Sequence, residues 1–443
     1  MEQKLDFLRF FDACDPSRTL IPNRPEDQAY YVDFSSVRGG RIIETLERTI
    51  LMRSRANQST CQLFTGHIGC GKSTELRKLQ ADLEARNFHV VYFESTEDLD
   101  MADVDVTDVL LAITRQVSTS LESIGIKLKP GYFRNLLDQT ADFLGTPIEL
   151  SLEAKASLPL SLGEIVAKTR ESQTLRQRLR QYLEPQTERI LTTLNKHILK
   201  KAHEQLNAKN KHGLVVLVDN LDRVDNRKIE GSGRSQPEYL FVDRGDQLRK
   251  LDCHVVYTIP LSLIFSNDYQ SLTNRFGGGI APKTLPMVPV MRRDGSSHEE
   301  GLHLLKHMVM VRAFPSLVNQ VDLDAALVTK VFDSEPTLDR LCVTSGGHVR
   351  TLLGMLYRCL QESDPPITTE LLQRVINEYS NRACLAVNSN EKAMLKSVHL
   401  TKQLNGDKDH DILLRSLFVF EYPDETGQWF DVNPLLMPVI STA

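Results

Sequence analysis

Apolar residues follow two different periodicities in the first hundred residues of the chain. They recur at helical spacing around Ile43, Leu46 and Ile50, whereas the run Phe88–Glu94 is continuous and rich in β-forming residues. The pattern predicts a helix, a strand, a helix and a strand in succession, at residues 42–53, 61–65, 72–86 and 88–94. A glycine-rich loop lies between the first strand and the helix after it, so strand, helix and strand form one βαβ unit.

Further strands are predicted where short apolar runs return in the middle of the chain. The unbroken run Gly213–Asp219 is typical of a parallel strand buried on both faces, and later strands are expected at His254–Ile259 and Thr284–Val290. A helix is expected at 105–124, but residues from about 125 to 212 carry few strand signals and mostly helical ones. We therefore predict an α/β fold, with a parallel-sheet core and a helical insertion.

The last third of the chain is mostly helical from Ser297 onward. It closes with a helix at Asp411–Leu417, strands at Phe418–Tyr422 and Trp429–Val432, and a turn between them, which is how a winged-helix module ends. We predict an irregular N-terminal lead-in, an α/β core that contains the insertion, a helical lid and a winged-helix-like domain, at residues 1–40, 41–296, 297–385 and 386–443.

Composition is that of a globular protein without a membrane segment. The 443 residues are 41% hydrophobic and 25% charged, which suits two or three domains with ordinary cores. No apolar stretch reaches the roughly 18 residues of a membrane span, and the N-terminus does not resemble a signal peptide. The seven cysteines form no CxxC pair, which favours reduced thiols in a cytoplasmic protein. A net charge of −5 argues against a surface that binds nucleic acid everywhere, although a local basic patch is compatible with it.

The strongest chemical signal is the glycine loop, GHIGCGKS at residues 66–73, which fits the pattern GxxxxGK[ST]. Its glycines let consecutive N–H groups turn toward an anion, and the following helix adds the positive end of its dipole. Lys72 would reach the β- and γ-phosphates of ATP, and the Ser73 hydroxyl would bind Mg²⁺. His67 and Cys70 fill variable positions, to which we assign no catalysis. The predicted nucleotide-binding residues are Gly66, His67, Ile68, Gly69, Cys70, Gly71, Lys72, Ser73 and Thr74.

Two aspartates, one at the end of the run Gly213–Asp219 and one three residues later, predict the second half of a magnesium site. Mg²⁺ in such sites is usually held by a carboxylate together with substrate phosphates. Asp219 would bind Mg²⁺ through water, and Asp222 would orient or deprotonate the attacking water. The alternative role for Asp222 is an N-cap for the next segment.

Three single residues are further catalytic candidates. Thr258 ends a strand at the sheet edge where open α/β sheets bind ligands, although threonine is common in strands for other reasons. Arg275 is a candidate arginine finger, a residue worth about 10³–10⁵ in rate, or else a solvated surface arginine. Arg350 follows Gly346 and Gly347 and would either reach the phosphates or belong to an ordinary helix start.

The insertion is basic in its second half. From Glu164 to His212 there are eleven basic and five acidic residues, a net of +6. This segment is either a set of solvated helical faces or a docking surface for an acidic partner or nucleic acid. The acidic run between Glu94 and Asp108 is expected to be a loop, and it could complement the basic face.

The order of these motifs resembles the AAA+ and STAND class of P-loop ATPases. In that class the glycine loop is Walker A, Asp219 ends Walker B, Thr258 is sensor 1, Arg275 the arginine finger and Arg350 sensor 2. The segment DNLDR at 219–223 also looks like the Walker B of KAP-type NTPases, and the lid and winged helix resemble those of origin-recognition initiator ATPases. The resemblance implies a P-loop NTPase fold and an ATPase with ATP and Mg²⁺ as cofactors.

One position departs from the class. Typical AAA+ motors have a glutamate after the Walker B aspartate, whereas this chain has Asn220, an amide that cannot act as a base. Either Asp222 takes over, as the resemblance to KAP and NACHT-like ATPases implies, or hydrolysis is slow. Slow hydrolysis suits a switch that is held by bound ATP.

Three functions remain open at this stage. The first is a regulatory ATPase switch, with Tyr30 and Tyr31 near the adenine and Arg275 acting on a neighbouring subunit of a homo-oligomer. It would signal to a separate effector protein, as in bacterial signalling or defence systems built around such ATPases. The second is a DNA-binding initiator or loader, although the acidic residues Asp424, Glu425 and Asp431 do not suit a DNA-binding wing. The third is a scaffold that binds ATP without turnover.

Overall fold

The chain divides into two compact units in the computed structural model. We call Glu44–Thr65 with Leu79–Lys283 the sheet unit, and Met1–Ile43, Gly66–Lys78 and Thr284–Ala443 the C-terminal unit. The structure describes residues 4–127, 172–229, 231–319, 324–404 and 411–441. The part of the predicted insertion at 128–171 therefore lies outside the described residues.

A five-stranded sheet lies largely in the sheet unit. Its strands β1 to β5 are, in chain order, Cys61–Gly66, His89–Glu94, Leu214–Asp219, His254–Thr258 and Lys283–Leu285. They lie in the order β2-β3-β4-β1-β5, and β1 to β4 pair in parallel. Every residue of β3 is buried, as expected from its unbroken apolar run. The predicted α/β fold with a parallel-sheet core is confirmed.

The fifth strand is shorter than the sequence predicted. We expected it to extend from Thr284 to Val290, but β5 ends at Leu285. The reason is that Pro286 and Pro289 have no N–H group to donate to a sheet.

Helices accompany the sheet throughout the sheet unit. They are Ser95–Asp98, Val106–Ser123, Gln173–Leu183, Thr187–Thr193, Lys200–Ala208, Gly245–Arg249 and Tyr269–Arg275. Shorter turns of π type lie at Leu194–Leu199 and Glu238–Asp243, and 3₁₀ turns at Glu184–Gln186, Leu221–Arg223 and Leu261–Phe265. Two more helices, Ile42–Arg55 and Lys72–Ala85, begin in the C-terminal unit and continue into the sheet unit. The described part of the predicted insertion is thus helical, as expected.

The acidic segment after β2 meets the basic segment of the insertion inside the sheet unit. Arg180 contacts Asp103 at 2.6 Å and Asp108 at 3.4 Å, and Arg176 pairs with Asp100. Burial raises the pKa of Asp108 to about 6, and the Arg180 charge opposes this rise. The acidic segment is not a simple loop, because it contains a helical turn, but its predicted complementarity to the basic segment is confirmed.

The C-terminal unit is mainly helical and ends in a hairpin. Its helices are Phe7–Ala13, Pro25–Gln28, Glu299–Ala313, Ala325–Val331, Glu335–Thr344, Val349–Glu362, Thr369–Leu385, Ser389–Thr401, Asp411–Arg415 and Met437–Ser441, with 3₁₀ turns at Pro315–Asn319 and Pro434–Leu436. Strands β6 (Val419–Asp424) and β7 (Gly427–Val432) are antiparallel and joined by a two-residue turn. Helices followed by a hairpin are the order that the sequence predicted for this end of the chain.

The N-terminal segment is more regular than predicted. We expected residues 1–40 to be an irregular lead-in, but Phe7–Ala13 is a helix whose N-cap, Asp6, accepts a hydrogen bond from the N–H of Arg9. Phe10 is fully buried in the core of the C-terminal unit. The Arg312 guanidinium, also buried, donates to the carbonyl of Ala13. The segment is therefore anchored to the C-terminal helices by apolar burial and a charged donor.

Side chains at the end of the helix Ser389–Thr401 contact one carboxylate of the hairpin. Asp431 accepts hydrogen bonds from His399 Nδ1 at 2.8 Å and from Lys402 Nζ at 2.6 Å. Within the hairpin, Trp429 of β7 stacks on Tyr422 of β6 with ring centroids 4.8 Å apart. The two contacts of Asp431 hold the hairpin against the end of the helix Ser389–Thr401.

No helix in the described ranges is both long and apolar enough to cross a membrane.

Candidate functional site

The glycine loop has the backbone that a phosphate-binding loop requires. Gly69 and Gly71 adopt φ angles of 87° and 108°, which side chains with a Cβ rarely adopt. The helix after the loop begins at Lys72, so its first N–H groups and its positive dipole end face the loop. Lys72 Nζ donates to the carbonyls of Gly66 and His67, each at 2.9 Å. The lysine is thus held at the loop, where a phosphate would meet it.

A buried arginine that the sequence analysis missed also contacts this loop. Arg38 Nη2 donates to the Cys70 carbonyl at 2.8 Å, and the guanidinium lies 5.1 Å from the centre of the Phe34 ring. Its Nε is buried and has no hydrogen-bond partner in the described part of the chain. An unsatisfied cationic donor beside a phosphate loop is a group that an anionic ligand would satisfy. Its sequence signal was weak, because Arg38 precedes the loop by about thirty residues.

The loop is also bonded to the start of the helix Val349–Glu362. His348 Nε2 lies 2.8 Å from the Ile68 carbonyl, and the N–H of Arg350 donates to the Gly69 carbonyl at 3.2 Å. A Cβ on Gly69 would lie only 2.5 Å from His348 Nε2. The structure therefore brings Arg350, predicted as sensor 2, to the glycine loop through its backbone. The phosphate contact of its side chain stays a prediction.

A second contact joins the loop to the hairpin. His67 Nε2 accepts a hydrogen bond of 3.0 Å from the N–H of Glu421 in β6. The His67 ring also lies edge-on to the Phe420 ring, at 5.8 Å between centroids. Burial lowers the pKa of His67 to about 3 and that of His348 to about 4, so both imidazoles are neutral. His67, a variable position of the loop, is a structural link between the loop and β6.

The two tyrosines that we expected near the adenine have different surroundings. The Tyr31 hydroxyl donates to the Glu75 carboxylate at 3.3 Å, on the first turns of the helix after the loop, and Lys78 lies over the Tyr31 ring. Tyr30 is buried and accepts a hydrogen bond from Arg9. Tyr31 therefore contacts an element that begins at the glycine loop, whereas Tyr30 is bonded to the helix Phe7–Ala13.

The carboxyl end of β3 gathers a second group of side chains, in the sheet unit. Asp219 is almost fully buried and accepts hydrogen bonds from the Tyr92 hydroxyl at 2.6 Å and from the Asn220 N–H at 2.7 Å. Asn220 adopts a left-handed φ of 60°, and its side-chain amide donates to Glu94 Oε2 at 2.7 Å. Glu94 is the partner of Asp219 in the β2–β3 register. The sheet thus places a glutamate beside the amide that follows Asp219.

The remaining candidates lie in three settings. The Thr258 hydroxyl is buried, accepts from the Leu221 N–H at 3.0 Å and donates to the Val218 carbonyl, so it fixes the backbone after β3. Asp222 is buried in the short turn that follows β3. Arg275 is exposed at the end of the helix Tyr269–Arg275, as a residue that reaches a neighbouring molecule must be. Their catalytic roles remain predictions.

The oxygen ligands present are of the kind that magnesium uses in a nucleotide site. Among the described residues, no three His, Cys, Asp or Glu side chains cluster to hold a metal ion by themselves. Magnesium in a nucleotide site needs only one or two protein ligands, because phosphates and water supply the others. Ser73 in the C-terminal unit and Asp219 in the sheet unit each offer an oxygen donor of this kind, and their binding of one Mg²⁺ stays a prediction.

A comparison with known families agrees with this geometry. Residues 41–232 match the family described as the KAP family P-loop domain. This part of the chain is therefore similar to a P-loop domain of the KAP type, as the segment at 219–223 predicted. No curated protein gives a significant match.

Several solved structures are similar to the whole chain at low identity. The ORC2 protein of Aeropyrum pernix, in ADPNP–ADP complexes, is 11% identical over 97% of this chain and 95% of its own, with a TM-score of 0.42. The Walker-type ATPase PABY2304 of Pyrococcus abyssi is 14% identical over 97% and 99%, with a TM-score of 0.44. Drosophila ORC bound to DNA is 11% identical over 98% and 93%, with a TM-score of 0.41.

Proposed function

We propose that this protein is an ATP-dependent regulatory switch. The observation that supports it best is the bonding of the glycine loop to two C-terminal elements, through His348 and Arg350 on one side and His67 on the other. A phosphate that binds the loop would change the positions of the loop atoms that bond to both elements. Moving a two-state protein from 1:99 to 99:1 takes about 5.5 kcal/mol of differential affinity, which several charged phosphate contacts can supply.

The residues that would hold Mg-ATP are those of the two groups described above. Residues 66–74 would bind the phosphates, and Lys72 would leave its loop carbonyls to contact the β- and γ-phosphates. Ser73 and Asp219 would hold Mg²⁺, which supplies charge neutralisation of the phosphates when bound. The guanidinium of Arg38 would add a buried positive charge beside the loop.

We further propose Glu94 as the carboxylate that positions or deprotonates the attacking water. Asn220 cannot act as a base, but its amide holds the carboxylate of Glu94 at the end of the neighbouring strand. Hydrogen bonding to an amide orients a carboxylate without neutralising it. Asp222 is the competing candidate from the sequence for the same role, and variants of Glu94 and Asp222 distinguish the two residues.

The test uses purified full-length protein and three single variants. Lys72→Ala is expected to weaken binding of labelled ATP, and undiminished binding would overturn the proposed nucleotide site. Glu94→Gln is expected to retain ATP binding while single-turnover hydrolysis falls about 10²–10³-fold, in the range for loss of a general base. Glu97→Gln, an exposed glutamate three residues further on, is the matched control. If Asp222→Ala abolishes hydrolysis and Glu94→Gln does not, Asp222 is the base.

Oligomerisation is the second part of the proposed switch. Arg275 is exposed at a helix end and would act on the nucleotide of a neighbouring subunit. Size-exclusion chromatography with light scattering, with and without a non-hydrolysable ATP analogue, is expected to show an ATP-dependent increase in mass. Arg275→Ala is expected to retain assembly and lose hydrolysis, because an arginine finger contributes about 10³–10⁵ in rate. A mass that does not change with nucleotide would exclude Arg275 from acting on a neighbour.

The separate effector protein and the setting in bacterial signalling or defence remain part of this proposal, as does a cytoplasmic location. The initiator or loader alternative predicts duplex DNA binding through the C-terminal hairpin. The charges of the hairpin do not favour it, because the nearby basic side chains are already used in pairs with its carboxylates. His399 and Lys402 contact Asp431, and Arg293 contacts Asp424. Steeply salt-dependent, tight binding of duplex DNA would favour the loader instead.

A further inference from the structure

Two adjoining clefts lie at the amino ends of the parallel strands of the sheet unit. The larger has a volume of about 710 Å³ and the smaller about 540 Å³. They share four lining residues, Ser54, Asn57, Asn207 and His212, and so form one continuous groove. Among the described residues, those of the candidate nucleotide site line neither cleft.

The groove carries an excess of positive charge. Lys196 and Lys200 line the larger cleft, and Arg55, Arg86 and Lys211 line the smaller one. In the described part of the chain, the only carboxylate that lines either cleft is Asp252. Arg86 pairs with Glu47, but the other four cations form no ion pair with the residues that the structure describes. A concave surface with this excess concentrates the field that attracts anions.

The cations of the larger cleft come from one face of a helix. Thr192, Lys196, Lys200, His203 and Asn207 are spaced by three or four residues, and all five line this cleft. The π turn Leu194–Leu199 lies within this stretch, and π turns inside helices occur frequently at functional sites. Two basic residues of the preceding helix behave differently, since Arg176 and Arg180 are used in internal ion pairs.

Hydrogen bonds hold the walls of the groove in place. The side chain of Asn195 donates to the Lys250 carbonyl at 2.7 Å and accepts from the Asp252 N–H at 3.0 Å. His203 Nε2 lies 3.0 Å from the Asp252 carbonyl, and the Ser54 hydroxyl donates to the His212 carbonyl. The walls of the groove are therefore ordered before a ligand binds, and binding would cost little conformational entropy.

We propose that this groove binds the phosphodiester backbone of a single nucleic-acid strand. Repeated cations along a continuous channel fit a ligand with repeated charges, and the amides and hydroxyls between them can donate to phosphate and sugar oxygens. A duplex does not match, because readers of duplex grooves insert a convex element and this surface is concave. Phe88 lines the groove but is buried, so it offers no stacking face and base identity has little effect. The site is separate from the ATP site and adds a second ligand to the switch.

The experiment measures the anisotropy of a fluorescent oligothymidylate with the full-length protein. Lys200→Glu is expected to weaken binding at least about tenfold, whereas Lys201→Glu changes it less than about twofold. These neighbours make a matched pair, because both are exposed, both lack an ion pair among the described residues, and only Lys200 lines the groove. Lys196→Ala with Lys200→Ala is expected to reduce the salt slope by about 0.7 for each phosphate that the variant no longer neutralises. Lys72→Ala is expected to lose ATP binding and keep oligonucleotide binding, which separates the two proposals.

Several results would contradict the proposal that the groove binds a nucleic-acid strand. Equal weakening by Lys200→Glu and Lys201→Glu would show that general electrostatics, and no specific groove, attracts the strand. Equal affinity for polyglutamate would show that the groove selects charge and not phosphodiesters, and stronger binding of a duplex would contradict the shape argument. Absence of oligonucleotide binding by folded protein would also reject the proposal, and unchanged circular dichroism of each variant establishes folding.

Discussion

Replacing Glu421 with glutamine is expected to remove a large pH dependence from the stability of the C-terminal hairpin. Glu421 is 1% exposed in β6, and its Oε2 has no hydrogen-bond partner among the described residues. Burial raises the pKa of its carboxyl group from 4.5 to about 8. The side chain is therefore protonated in the folded protein at neutral pH.

The sign and size of the effect follow from that pKa. Between pH 4.5 and about 8 the folded state holds a proton that the unfolded state has released, so the free energy of unfolding falls as pH rises. At 1.36 kcal/mol per pH unit, the loss over this window is roughly 4–5 kcal/mol. Glutamine has nearly the same shape and no titratable proton. The Glu421→Gln variant is therefore expected to gain stability relative to the original protein as pH rises, by up to that amount.

The protein contains a natural probe for this measurement. Trp429 is the single tryptophan of the chain, is 2% exposed, and lies in β7 beside the strand of Glu421. Its fluorescence during urea unfolding reports on this hairpin without requiring that both units unfold together. Glu425→Gln, in the exposed turn of the same hairpin, is the matched control and is expected to follow the original protein. If Glu421→Gln also followed it in parallel from about pH 5 to about pH 8.5, the carboxyl group would be ionised in the folded state and the reasoning would be wrong.

Three further changes test the site. Gly69→Ala is expected to lower ATP affinity at least about 100-fold in equilibrium binding, because its Cβ would collide with His348 and its φ is left-handed; near-normal affinity would show that the loop can shift freely. Arg38→Ala is expected to weaken ATP binding more than Arg38→Lys does, by about tenfold, because only the lysine keeps a positive charge; equal affinities would leave Arg38 a structural role alone. Tyr92→Phe removes a hydrogen bond to Asp219. It is expected to raise the Mg²⁺ concentration for half-maximal hydrolysis by about 10-fold or more and to leave ATP affinity unchanged; an unchanged Mg²⁺ titration would refute this.

The parts of the site that sequence alone predicted are those defined by neighbours in the chain. Residues 66–73 are recognisable from the sequence because glycines, lysine and serine must follow one another at fixed spacing to surround a phosphate. Asp219 was predicted for a similar reason, because an unbroken apolar run of five residues points to a buried parallel strand with a polar residue at its end.

The residues that sequence reasoning missed depend on partners far along the chain. Glu94 looked like the first of several surface acids, and only the β2–β3 register places it beside Asn220. His67 looked like a variable loop position, since nothing near it in sequence indicates Glu421. The helix Phe7–Ala13 was missed because seven residues are too few for a clear periodicity. In each case tertiary contacts, and not local preference, decide the role.

The contact between His67 and Glu421 joins positions 354 residues apart, and this has a consequence for synthesis on the ribosome. At about 5–20 residues per second, roughly 20–70 s pass between translation of the glycine loop and translation of its partner strand. During that interval the nascent chain carries a phosphate loop without the strand that holds His67. Strand β6 therefore completes the surroundings of a loop that was translated much earlier, so a product that terminates before β6 is expected to be recognised by chaperones or proteases and not to accumulate as a functional fragment.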